Sequence, residues 1–185
     1  WQLLGIDSGD DGVDLEFVYS SVTQPLADWP HAAELRLRIR LDSRLHITLT
    51  SHNLSETPLA ISQALHSYFA VSDIRNVAVE GLHGCRYIET LDDWQTRKQA
   101  GVLQFNGETD RIYLDTPTEL SILDRTWQRR IRLHSSGSQS AVLWNPWIDK
   151  AQRLSQFAAD AWQGMLCIEH ANVMDDIRVL AAGEQ

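Results

Sequence analysis

Four short stretches carry residues able to do chemistry. In QALHSYFAV, Gln63 to Val71, His66 interrupts an apolar and aromatic run where a plain core position would hold Leu or Val. An imidazole there is either a hydrogen-bonded core residue or a proton donor or ligand facing a pocket. Its ordinary pKa of about 6.5 suits it to proton transfer near neutral pH. In GMLCIEHANV the buried-looking run Met165 to Ile168 delivers Glu169 and His170 at its end. A carboxylate in apolar surroundings is costly unless it is paired, protonated or used. A salt-bridged Glu at a strand mouth is the plain alternative. Asp110 in GETDRIYL precedes a predicted strand at Arg111, a commonplace turn position. In VLWNPW, Trp144 and Trp147 flank Asn-Pro and form a rigid aromatic turn, able to cap a core or to line a carbohydrate pocket.

Other reactive patterns are missing. No G-x-S-x-G elbow, phosphate loop or dinucleotide fingerprint occurs. None of the histidines, His31, His46, His52, His66, His83, His134 and His170, is paired at the i, i+4 spacing of a helical zinc site. Structural zinc wants clustered Cys and His, so no metal and no cofactor are expected. Cys85 and Cys167 lie far apart without a C-x-x-C and read as reduced, buried thiols.

The elements that must position these residues are mostly strands. In ELRLRIRL, Leu35, Leu37, Ile39 and Leu41 alternate with charged residues, the mark of a half-buried strand. After the turn Asp42-Ser43-Arg44, LHITLTSHNL alternates again with Leu45, Ile47 and Leu49 inward, completing a hairpin. Glu34 and Asp42 flank Arg36, Arg38 and Arg40, which reads as a solvated face rather than a basic patch. Further strands are predicted at Val13–Tyr19, Leu59–Val71, Gly101–Phe105, Arg111–Leu114, Glu119–Leu123, Gln128–His134, Ala141–Trp144, Gly164–Glu169 and Asp176–Ala181. The one helix candidate is Lys150–Trp162. Many short strands separated by SGDDG, NGETD and SSGSQS predict a large antiparallel β-sandwich or barrel.

With 185 residues, 43% hydrophobic and 22% charged, the chain reads as one ordinary globular domain, 1–185. A net charge of −9 argues against a nucleic-acid binder, which needs a basic face. A small phosphorylated ligand remains compatible, since one local arginine cluster suffices to hold it. No apolar run approaches the roughly 20 residues of a membrane span, and no signal peptide is visible. The expected setting is cytoplasmic. The chain opens on Trp1 in what reads as the middle of a strand, so an N-terminal portion is expected to be missing or cleaved. The seven tryptophans are many for this length; Trp is a core residue and also a common wall of sugar sites.

Taken together and in order, SQALHSYF, GETDRIYL, WNPW and MLCIEHANV resemble the aldose 1-epimerase (mutarotase) superfamily, and VEGLHG has the same look. The closer likeness is to the glucose-6-phosphate 1-epimerase, or hexose-6-phosphate mutarotase, branch. The resemblance runs over essentially the whole chain. It implies a galactose mutarotase-like β-sandwich, here lacking its N-terminal strands. It implies His66 as general acid, Glu169 as general base and Asp110 as a ligand of sugar hydroxyls. The implied activity is cofactor-free anomer interconversion of a hexose 6-phosphate by a monomer without membrane or nucleic-acid partners. The resemblance implies an N-terminal histidine-arginine motif expected just before Trp1, and the arginines that grip the phosphate are expected partly in that region. In LAAGE, Ala182 stands where proline is expected. The competing reading is a non-catalytic sugar-binding module on the same sandwich, with Trp144, Trp147 and Asp110 as its contacts. A structural interaction domain, with His66 and Glu169 as satisfied core polars, is a third.

Overall fold

The computed structural model describes residues 1–185. The chain divides into two compact units, Trp1–Ile61 with Arg178–Gln185, and Ser62–Ile177.

In the first unit, β1 (Gln2–Gly9), β2 (Gly12–Ser20), β3 (Ala33–Leu41) and β4 (Leu45–Asn53) form an antiparallel sheet in sequence order. A short β5 (Leu59–Ile61) follows. Gly12 opens β2 with φ 143°, and a Cβ there would stand 2.7 Å from the Leu41 carbonyl oxygen, so this turn needs glycine. Residues directly opposite in a ladder share a face. Leu37, Ile39 and Leu41 therefore align with Phe17, Leu15 and Val13 on one side and Leu49, Ile47 and Leu45 on the other. The arginines lie on the reverse face and pair with acids, Arg36 with Glu16 and Glu34, and Arg38 and Arg40 with Asp14. They form the solvated face that the alternation predicts. The inward expectation for β4 needs correction: Leu41, Leu45 and Ile47 are exposed. That apolar face is buried only at one end, where Ala33 packs with Leu59, Ile61, Trp29 and Leu180.

The second unit is an antiparallel β-sandwich. Its strands are β6 (Gln63–Leu65), β7 (Tyr68–Ala70), β8 (Val77–Glu80), β9 (Arg86–Glu89), β10 (Gln95–Lys98), β11 (Leu103–Gln104), β12 (Thr109–Leu114), β13 (Glu119–Asp124), β14 (Arg129–His134), β15 (Ser140–Asn145) and β16 (Met165–Asn172); α1 (Trp147–Arg153) links the last two. One sheet runs β10-β9-β12-β15-β16, with β6 and β7 both pairing the far side of β16. The other runs β11-β8-β13-β14. Tyr113, Leu143 and Ile168 from the first sheet and Val79, Ile122 and Leu133 from the second belong to one buried cluster, which holds the layers together. The final strand, β17 (Arg178–Leu180), pairs with β5 in the first unit.

Two predicted elements are redrawn. The strand expected over Leu59–Val71 is three strands, β5, β6 and β7, and His66 falls in a gap between two of them. The helix expected over Lys150–Trp162 is the shorter α1, which starts earlier, at Trp147, and ends at Arg153; a 3-10 turn follows at Ala161–Gly164. Pro146 starts it with a preset φ of −72°, and Asn145 Oδ1 accepts the Trp147 N–H at 2.9 Å, so the helix begins at the WNPW corner. Leu154 leaves helical geometry with ψ 129°.

A buried carboxylate ties the second sheet to the segment after β7. Asp124 has a fully buried side chain and accepts from Ser72 N at 2.9 Å, Ser72 Oγ at 2.5 Å and Trp127 N at 3.2 Å. Burial alone would raise its carboxyl; these bonds and the Arg129 charge outweigh that and hold it below the ordinary value of 3.8. A folded pKa below the unfolded one contributes stability above the unfolded value and loses it as pH falls through the lowered one. Asp124→Asn is expected to lower unfolding free energy at neutral pH by about 1–3 kcal/mol, because one donor then faces other donors. Unfolding curves across the acid range should show the difference from the parent shrinking as pH falls.

Candidate active site

The site is built on β16, which is hydrogen-bonded on both sides. Along it, Leu166 and Ile168 point into the core, so Cys167 and Glu169 point to the opposite face of the sheet. The ladder extends that face. Cys167 lies opposite Trp144 of β15 and Tyr68 of β7, and Trp144 lies opposite Asp110 of β12. Glu169 lies opposite Val142, itself opposite Ile112. Asp110 is the second residue of β12, not a turn residue before it.

His66 reaches this face through a kink. Ser67 N–H bonds the Leu65 carbonyl at 2.9 Å, a three-residue γ-turn with His66 at its centre. Leu65 pairs with His170 and Tyr68 with Cys167, so the turn is anchored to β16 at both ends. The imidazole then stands over Glu169, with Nε2 3.1 Å from Oε1. Its side chain is 49% exposed and that of Glu169 10%, so one partner faces solvent and the other is sunk in the sheet. The His66 ring stacks on Tyr68 with centroids 4.7 Å apart and planes 12° apart. Trp144 meets both edge-on, at 6.4 Å and 6.5 Å. The three predicted residues, His66, Glu169 and Asp110, thus share one face of one sheet.

Burial dominates the electrostatics of this face. Burial raises the Glu169 carboxyl above its ordinary value; the His66 charge acts against this and the Asp110 charge adds to it. Asp110 is raised as well, by burial first, with Thr90 and Lys150 acting against it. Burial and the Glu169 charge push the Cys167 thiol up to about 12. His66, Cys167 and Glu169 each bring one ligand-capable atom to within 4.8 Å of the other two.

His170, delivered beside Glu169 in sequence, does not join the site. Alternation turns it to the other face, where burial lowers its pKa and its Nε2 is buried without a partner. The WNPW corner divides its two rings between the alternatives open in the sequence: Trp144 stands at the site, and Trp147 packs on Trp162 with centroids 4.6 Å apart. Asn145 between them is a structural pivot, donating to the carbonyls of Trp162 at 2.8 Å and Met165 at 2.9 Å. Tyr68 and Cys167 are site neighbours that sequence reasoning passed over. Cys167 sits two residues from Glu169 on β16, at the strand period that places both on one face, whereas Tyr68 follows His66 across the turn, which no strand period signals.

The sequence profile of the aldose 1-epimerase family matches residues 1–185, the whole of this chain. The chain belongs to the aldose 1-epimerase family. Among its relatives, the Cenchrus ciliaris protein named "Putative glucose-6-phosphate 1-epimerase" is 33% identical over 176 residues, covering 92% of this chain and 53% of the relative. A Salmonella typhimurium protein of the same name is 32% identical over 170 residues, covering 91% and 56%. This family member therefore spans a little over half the length of these curated relatives. The crystal structure of a Salmonella typhimurium "putative mutarotase" superposes with a TM-score of 0.90 at 29% identity, covering all of this chain and 61% of that one. A galactose mutarotase-like protein from Clostridium acetobutylicum shares the fold, with a TM-score of 0.71 at 16% identity, covering 100% of this chain and 63% of that one. The antiparallel, galactose mutarotase-like sandwich expected from the sequence is the fold of this family member. No helix is long and apolar enough to cross a membrane.

Proposed function

We propose that the protein interconverts the α and β anomers of a hexose 6-phosphate, glucose 6-phosphate in the first instance, with His66 and Glu169 as the acid–base pair and Asp110 holding sugar hydroxyls. The observation that carries this reading is the 3.1 Å separation of His66 Nε2 and Glu169 Oε1. Opening a pyranose requires one group to take the proton from the O1 hydroxyl and another to protonate the ring oxygen. Both oxygens are bonded to C1, so acid and base must stand side by side. A pair already within hydrogen-bond distance meets that demand.

Glu169 takes the O1 proton as the C1–O5 bond breaks and O5 takes a proton from His66. The aldehyde turns about the C1–C2 bond. Reclosure on the other face runs the two transfers in reverse. Charge and mass balance without redox chemistry. A positioned proton-transfer group contributes about 10²–10⁴-fold, or about 3–5 kcal/mol. Trp144 and Tyr68 supply flat apolar walls against which a sugar ring packs, and the half-exposed His66 lies on the solvent side. The phosphate preference is supported by the names of the relatives and by sequence likeness to that branch.

The deciding experiment is exchange NMR on the anomeric protons of glucose 6-phosphate with the full-length protein. Accelerated α/β exchange is the expected result. A folded protein that leaves glucose 6-phosphate, glucose and galactose exchange at the uncatalysed rate overturns the proposal. Sugar binding without acceleration would instead identify a binding module.

A further inference from the structure

We propose that His66, Cys167 and Glu169 form a three-ligand site for a thiophilic divalent cation, Zn²⁺ above all, which shuts down the acid–base pair when it binds. The inference rests on the reading of that pair as catalytic for its inhibitory consequence, but not for the binding itself.

The ligand atoms are an imidazole nitrogen, a thiol sulfur and a carboxylate oxygen, all mutually within 4.8 Å. Zinc sits about 2.0–2.2 Å from nitrogen and oxygen ligands and about 2.3 Å from sulfur, so the edges of its tetrahedron are roughly 3.3–3.6 Å. The His66–Glu169 edge is 3.1 Å and the Cys167 sulfur lies within 4.8 Å of both atoms, so binding requires only the sulfur corner to draw in. The backbone of the site is well fixed. Cys167 and Glu169 are i, i+2 on a strand bonded on both sides, and His66 is clamped to the same strand through Leu65 and Tyr68. Such rigidity confines the adjustment on binding to the side chains.

The donor set selects the ion. Mg²⁺ and Ca²⁺ take oxygen ligands, whereas imidazole with thiolate suits zinc and its mimic Co²⁺. As the Zn–S bond forms, the Cys167 thiol gives its proton to solvent, since the coordinated ligand is the thiolate. Three protein ligands leave a fourth position open, facing the solvent side where His66 is exposed. A bound ion occupies both His66 Nε2 and Glu169 Oε1, the atoms assigned to proton transfer, and therefore excludes the reaction.

The test uses full-length protein with Co²⁺ and Zn²⁺ alone. A thiolate-to-cobalt charge-transfer band and one tight Zn²⁺ equivalent by calorimetry are expected, with Mg²⁺ giving neither. Losing an outer partner of a metal ligand costs about 10–100-fold in affinity. Cys167→Ser, which loses a direct ligand, should weaken Zn²⁺ at least that much and abolish the band, while Cys85→Ser keeps both. A band that survives Cys167→Ser, or no Zn²⁺ binding by an intact protein, overturns the site. Zn²⁺ binding to a protein without mutarotase activity would retain the site and reject the catalytic reading. Active enzyme indifferent to Zn²⁺ would do the reverse.

Discussion

Glu169→Gln is expected to slow anomer exchange by at least about a hundredfold while leaving the melting temperature equal to or above that of the parent. The two halves of this result come from the same atoms. Glutamine has the shape of glutamate and still meets His66, but its amide cannot take a proton from O1. The carboxylate it replaces is nine-tenths buried, raised by burial and repelled by Asp110. A neutral amide relieves that cost, which is the usual relation between a functional group and stability. The reading of Glu169 as a salt-bridged strand residue predicts the opposite pair: near-normal exchange and a lower melting temperature, because a buried partner is lost from an ion pair. Rate by exchange NMR and stability by thermal unfolding, on one preparation, separate the two. Near-normal turnover in a folded Glu169→Gln protein would remove the base from the mechanism.

What could be read from the chain beforehand follows from how local each signal is. Period-two alternation marked β3 and β4, because one face of that hairpin is charged and the other apolar. The apolar run before Glu169 marked β16, but the same run hid its alternation, since both faces are covered and nearly every residue is buried. Cys167 was therefore not placed beside Glu169, although two residues on a strand always share a face. β10, QTRK, is exposed throughout and carries no apolar pattern at all. The γ-turn at His66 needs neither glycine nor proline, so nothing in QALHSYF announces a break. The pairing that brings Tyr68, Trp144 and Asp110 onto one face is long-range register, which local pattern does not encode. Resemblance suggested the roles; the distances between the residues come from the ladder and from the turn at His66.

His66→Ala should match Glu169→Gln in the size of its kinetic effect but differ in its remedy. The imidazole is half exposed, so its removal opens a hole connected to solvent rather than a sealed cavity. The Tyr68 stack is lost, at about 0.5–1.5 kcal/mol, a modest loss of stability. Turnover falls by at least about a hundredfold, since protonation of the ring oxygen loses its positioned donor. Added imidazole can enter the opened position beside Glu169 and should restore part of the rate in His66→Ala, with a saturating dependence on concentration. It should do nothing for Glu169→Gln, whose His66 is in place. The double variant tests whether the two act as one unit. Residues that transfer protons in a single event are strongly non-additive, so the double variant should be little slower than either single variant. Multiplied losses, or imidazole rescue of both variants alike, would mean that His66 and Glu169 serve separate steps rather than one concerted opening of the ring.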